Sequence, residues 1–140
     1  MNNQIQILMG KEEIKKAYEM SLHSEKLDVM CLSSNYEQVI GSYFDKEYSP
    51  RLFSGKTKTR EILPDNQENR QSAGAKDKTK NQVRFIEDFC PSESDLLIFD
   101  NIAILVSYNP ESPLALVISE SELVAQLKTQ FDNLWTQAGR

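Results

Sequence analysis

Histidine occurs once in this chain, at position 23, and cysteine twice. No apolar run approaches the roughly 20 residues that a membrane-crossing helix needs. Each scarcity excludes a class of function. Cys31, inside an apolar run, and Cys90, ahead of Pro91, have no Cys-x-x-Cys partner, which removes zinc-ribbon and thioredoxin-like chemistry. So few cysteines are expected to stay as thiols. His23, in His-Ser-Glu-Lys, has no serine or cysteine at triad spacing, and its expected role is contact with a helix C-terminus. Ser54-Gly55-Lys56-Thr57 has the close of a phosphate loop, but Pro50 stands where its first glycine belongs and a strand-like segment follows. Backbone amides would not converge on a phosphate there. The opening Met-Asn-Asn-Gln has no basic start and too short an apolar region for a signal peptide, so a cytoplasmic protein is expected.

What is present suits one domain, residues 1–140, with a core large enough to need no staples. Hydrophobic residues are 39% and charged residues 26% of the total, the mark of a soluble domain with one long polar segment. The net charge of −5 is uneven: residues 56–80 carry seven basic and four acidic side chains, and 81–140 carry three and nine. A mildly basic middle on an acidic body lacks the concentrated basic face of a nucleic-acid binder. No direct nucleic-acid contact, cofactor or metal is expected, and there is no internal repeat.

Residues 93–135 hold the densest structural signal. Leu96–Phe99, Ile102–Val106 and Leu114–Ile118 are unbroken apolar runs suited to strands buried on both faces. Asp100-Asn101 supplies a tight hairpin between the first two, and Asn109 to Pro113 a wider turn before the third. Ser119 with Glu122 reads as a capping box. The helix it opens carries the stripe Leu123, Leu127, Phe131, Leu134 and Trp135.

Before this block, Ile5, Ile7 and Met9 alternate into a strand ending at Gly10, and 11–25 reads as a helix. A second strand spans 27–32. Ser33-Ser34-Asn35 then cap a helix presenting Tyr36, Ile40, Tyr43 and Phe44, which stops by Pro50. Residues 56–63 read as a strand near a sheet edge, where lysines discourage stray pairing. Residues 64–81 form a polar, mobile connection or short surface helix. Val83, Phe85, Ile86 and Phe89 restart buried structure. The order indicates an α/β domain, a mixed sheet with helices packed on it and a C-terminal docking helix.

The stretch 93–135 resembles the middle domain of TrmB-type transcriptional regulators, itself similar to phospholipase D. That superfamily carries His-x-Lys-x4-Asp, then a strand ending in a Gly-Ser-x-Asn-like turn. Asp100 takes the Asp position, Ser107-Tyr108-Asn109 looks like the Ser-x-Asn end, and the closing Phe131 to Trp135 resembles Phe-x-x-Leu-Trp. Counting back from Asp100 puts Glu93 at the histidine position and Asp95 at the lysine position. The resemblance therefore implies a phospholipase D-like fold without catalytic residues, and a ligand groove near Glu93, Asp95, Asp100, Ser107 and Asn109.

In those regulators the domain follows a DNA-binding winged helix and contributes to effector sensing and dimerisation. With no room for that winged helix before Ile5, nor for a further domain after Trp135, the expected role is a free-standing sensing or association module. The resemblance implies a homodimer that brings two Glu93–Asp95 segments together. A full-length regulator or other protein partner and a small-molecule effector are its expected contacts. Two alternatives stand: a diverged metal-assisted hydrolase using the acidic series Glu87, Asp88, Glu93, Asp95 and Asp100, and a purely structural homodimer.

Overall fold

A computed structural model describes residues 3–139. The first alternating run forms strand β1, Ile5–Met9, and Gly10, at φ 90°, turns the chain into helix α1, Lys11–Ser21. That left-handed backbone is cheap only for glycine. Strand β2, Lys26–Cys31, is followed by a broken helical stretch: α2, Tyr36–Ile40, a π-helical turn, Phe44–Tyr48, and α3, Ser49–Ser54. Next come β3, Lys58–Pro64, helix α4, Gln67–Gly74, and β4, Asn81–Ile86. The last third is β5, Ser94–Phe99, β6, Ile102–Ser107, β7, Leu114–Ile118, and helix α5, Ser121–Gln137.

The seven strands make one mixed sheet in the order β1-β7-β6-β5-β2-β3-β4. Only the β2–β3 and β3–β4 pairs are parallel, each joined through helical structure; the other four are antiparallel. Helices cover both faces. On one, Ile14, Ala17 and Tyr18 of α1 pack with Ile40, Tyr48 and Leu52 against Leu97, Ile104, Val106 and Val117. On the other, Val124, Phe131 and Trp135 of α5 pack against Ile62, Ile86, Leu96, Ile98 and Ile118. The α/β class, the mixed sheet and the docking helix stand as expected.

Several local expectations are corrected. The helix after Asn35 does not run on to Pro50: Gly41, at φ 64°, ends α2, and Pro50 sits in the first turn of α3. Proline is tolerated there because a first-turn N–H has no partner within the helix. Strand β3 is interior, since the crossover through α4 lays β4 on its outer side. Phe89 lies beyond β4, packed against the α5-side core. The cap of α5 is Glu120, whose carboxylate accepts from the Leu123 amide at 2.8 Å, so the helix starts at Ser121. This register turns Val124 inward and leaves Leu123 40% exposed.

The polar segment 64–81 contains α4, none of whose residues is buried. Side chains tie it down at both ends. Arg70 pairs with Asp65 at 2.7 Å and lies 4.2 Å over the Phe85 ring, and Lys76 pairs with Glu61 at 2.7 Å.

Candidate functional site

Beyond the C-terminal ends of the parallel strands β2 and β3, where open α/β sheets commonly receive ligands, lies a cleft of about 980 Å³. Its floor is the start of β5. Its walls are the π-helical turn and α3 on one side and α4 with the loop after β4 on the other, so that Tyr36, Phe44, Tyr48, Phe53 and Phe89 all face it. The rings support one another edge to face, Tyr18 on Phe44 at 4.7 Å and Tyr36 on Phe44 at 4.9 Å between centres.

Asp95 is buried at the base. Tyr18 Oη donates to its Oδ2 at 2.6 Å, and Tyr108 Oη donates to Tyr18 Oη at 2.9 Å. Ser33 donates to Oδ1 from its hydroxyl at 2.8 Å and its amide at 3.3 Å. Burial pushes the Asp95 carboxyl above its ordinary pKa, against the lowering effect of these donors. The same burial, with Asp95 alongside, raises Tyr18, Cys31 and Tyr108. The Tyr18 proton stays on its oxygen and donates.

Glu93 stands at the rim. Its two oxygens take the Ser34 amide at 3.1 and 2.9 Å, and the Ser34 hydroxyl donates at 2.6 Å. Partial burial works against its charge, yet the bonds from Ser34 and from the Asn35 amide outweigh it and hold the carboxyl below its usual value. Ser33 and Ser34 thus bind carboxylates across 62 and 59 residues of sequence instead of capping α2, whose Asn35 makes no side-chain cap bond.

Of the five groove residues read from sequence, Glu93 and Asp95 line the cleft. Ser107 and Asn109 lie at the same end of the sheet, Ser107 opposite Ser94, but both are spent on their own turn: Ser107 Oγ accepts from the Asn109 amide and Asn109 Oδ1 from the Glu111 amide. Asp100 is at the opposite end of β5, in the hairpin turn at φ 52°, beside a second recess of about 840 Å³. That recess holds a network in which Arg60 binds Asp28 at 2.8 Å and Asp132 at 2.7 Å, and Lys128 binds both as well. Arg60 also covers the Phe131 and Trp135 rings, so the network fastens α5 to the sheet.

The acidic series does not converge. Glu87 and Asp88 are exposed, Asp95 is buried and Asp100 lies a strand's length away. Among the described residues no three His, Cys, Asp or Glu side chains are placed to hold a metal ion. His23 is exposed, and both cysteines are free. Glu61, Lys76, Tyr18 and the aromatic wall were not legible beforehand. Only Ser33-Ser34, directly after a parallel strand, gave a sequence cue.

No protein-family model matches the chain, and no curated protein matches it. Solved structures do. TrmBL2, an archaeal chromatin protein with a novel mode of DNA binding, superposes with a TM-score of 0.68 at 17% identity, over 98% of this chain and 54% of that one. The chain therefore spans about half the length of that protein. Nuc from Salmonella typhimurium, a phospholipase D family member, superposes with a TM-score of 0.67 at 12% identity, over 96% of this chain and 95% of its own. The fold is phospholipase D-like. NucT from Helicobacter pylori agrees, with a TM-score of 0.66 at 11% identity over 96% of this chain. Among the described residues, no helix is long and apolar enough to cross a membrane.

Proposed function

We propose that this chain is a non-catalytic sensing and association module, related to the effector domains of transcriptional regulators, with a small-molecule effector in the cleft above Asp95. One observation carries the reading. At the two positions where the resemblance expects a nucleophilic histidine and a phosphate-holding lysine, Glu93 and Asp95 stand as carboxylates in an aromatic cleft. A phosphodiester entering there meets repulsion where its transition state needs positive charge. An apolar-lined cleft of this volume instead suits a small organic ligand.

Association through a second copy is favoured by β1. This edge strand leaves Ile5, Ile7 and Met9 at 54, 62 and 56% exposed, and no charged residue interrupts it. Natural edges usually carry a charge, a proline or a cover. The other edge is interrupted at Phe85 of β4, which bridges Gly139. An edge strand paired antiparallel with its own copy is self-complementary about a twofold axis. The sequence expectation joined two Glu93–Asp95 segments instead; those carboxylates are engaged within the chain, which favours β1.

A thermal-shift screen of small metabolites, followed by backbone-amide NMR, tests the sensing role. A compound that raises the melting temperature and moves the Ser33, Ser34 and Lys76 amides supports it. Hits that all map outside the cleft overturn it.

A further inference from the structure

One corner of the cleft already holds an ammonium group, that of Lys76. Its Nζ donates to Glu61 Oε1 at 2.7 Å and stands 4.3 Å from the centre of the Phe53 ring. A carboxylate beside an aromatic face is how proteins recognise alkylammonium ions. Glu61 is only 8% exposed, and among the described residues just one of its oxygens is engaged. Among the described residues that line the cleft, the charged ones are Asp45, Glu61, Glu68, Glu93 and Asp95 against Lys76. A buried carboxylate needs a cation, and Lys76 supplies it from the turn just after α4, a helix with no buried residue of its own.

We infer that the effector is an organic cation, a primary or quaternary ammonium on an apolar body, which takes the place of Lys76 between Glu61 and Phe53. This rests on the sensing reading above. The apolar body lies along Phe44 and Tyr48, whose rings line the same wall. Displacement of Lys76 removes the tie just beyond the C-terminal end of α4, leaving Arg70 on Asp65 and Phe85, and Asn69 on the Pro64 carbonyl, to hold the helix. Occupancy of the cleft is thereby converted into a change at an exposed surface element.

The test titrates the full chain and its Lys76→Met variant with phenethylamine, phenethyl alcohol and phenylpropionate, followed by backbone-amide NMR. Lys76→Met keeps an apolar stem over Phe53 while removing the competing ammonium. Phenethylamine should move the Phe53 and Glu61 amides and bind Lys76→Met at least about tenfold tighter than the native chain, the order expected for removing an internal cation competitor. The alcohol and the carboxylate should bind neither protein measurably. Adding Glu61→Gln to Lys76→Met should abolish the amine's effect. If the alcohol or the carboxylate binds Lys76→Met as tightly as the amine, the cation assignment is overturned while the cleft remains a ligand site. If the amine moves no amide in either protein, the inference is likewise overturned, and the sensing role is judged by its own screen.

Discussion

Glu93 and Asp95 stand two positions apart in the chain, and the fold shifts their pKa values in opposite directions. The folded state lowers the Glu93 pKa, so it binds fewer protons there than the unfolded chain does. Its stabilising contribution is complete above the ordinary glutamate value of about 4.3 and is lost as pH falls through the lower folded value. Asp95, raised by burial, works the other way: its contribution is complete below about 3.9 and is lost as pH rises through the folded value. Glu93→Gln should therefore melt below the native protein at neutral pH, and the gap should close below about pH 4. A gap of constant size down to about pH 2 contradicts this assignment. Tyr18→Phe removes the 2.6 Å donor to Asp95. Chemical denaturation should show a loss of about 1.5–3 kcal/mol, the usual worth of a hydrogen bond to a charged group.

Helix α5 illustrates how a cap sets a register. Capping by Glu120 places Val124, Phe131 and Trp135 against the sheet and leaves Leu123 outside. Trp135→Ala should cost about 3–5 kcal/mol, the range for deleting a large buried aromatic. Leu123→Ala should stay within about 0.5 kcal/mol, as exposed positions usually do. Equal losses at the two sites, read from denaturant midpoints, would remove this packing. Helix α4 behaves differently because it buries nothing and is held by side-chain ties. Its amides should exchange faster than those of any strand, and Lys76→Met should speed exchange most at residues 73–78.

For the whole molecule, the exposed row on β1 puts the proposed association to a direct test. Light scattering at micromolar concentration should report about twice the 16.0 kDa chain mass. Ile7→Glu should return the single-chain mass without changing the circular dichroism spectrum; a native chain already at that mass rules out pairing. Catalysis has a separate test. The chain should not hydrolyse bis(p-nitrophenyl) phosphate with or without a divalent metal. Turnover that requires metal and disappears in Asp95→Ala transfers the case to hydrolysis.

The sequence alone determined the class of fold. Leu96–Phe99, Ile102–Val106 and Leu114–Ile118 are apolar whichever way they are aligned, so three central strands and their tight turn follow from local preference. The stripe ending at Trp135 likewise requires a docked helix, although the choice between Leu123 and Val124 waited on the cap. Glu93 and Asp95 could be singled out because they occupy motif positions at the entry to one strand, Glu93 just before β5 and Asp95 within it. Their partners could not. Ser33 and Ser34 read as helix caps until β2 was laid beside β5, because a hydroxyl binds an amide or a carboxylate equally well and only strand pairing decides which is near. Glu61 with Lys76, 15 residues apart, and Tyr18 with Asp95, 77 apart, meet because parallel crossovers carry distant segments to one end of the sheet. The cleft exists only once that crossover is made, since each wall comes from a different segment and no short stretch of sequence encodes the space between them.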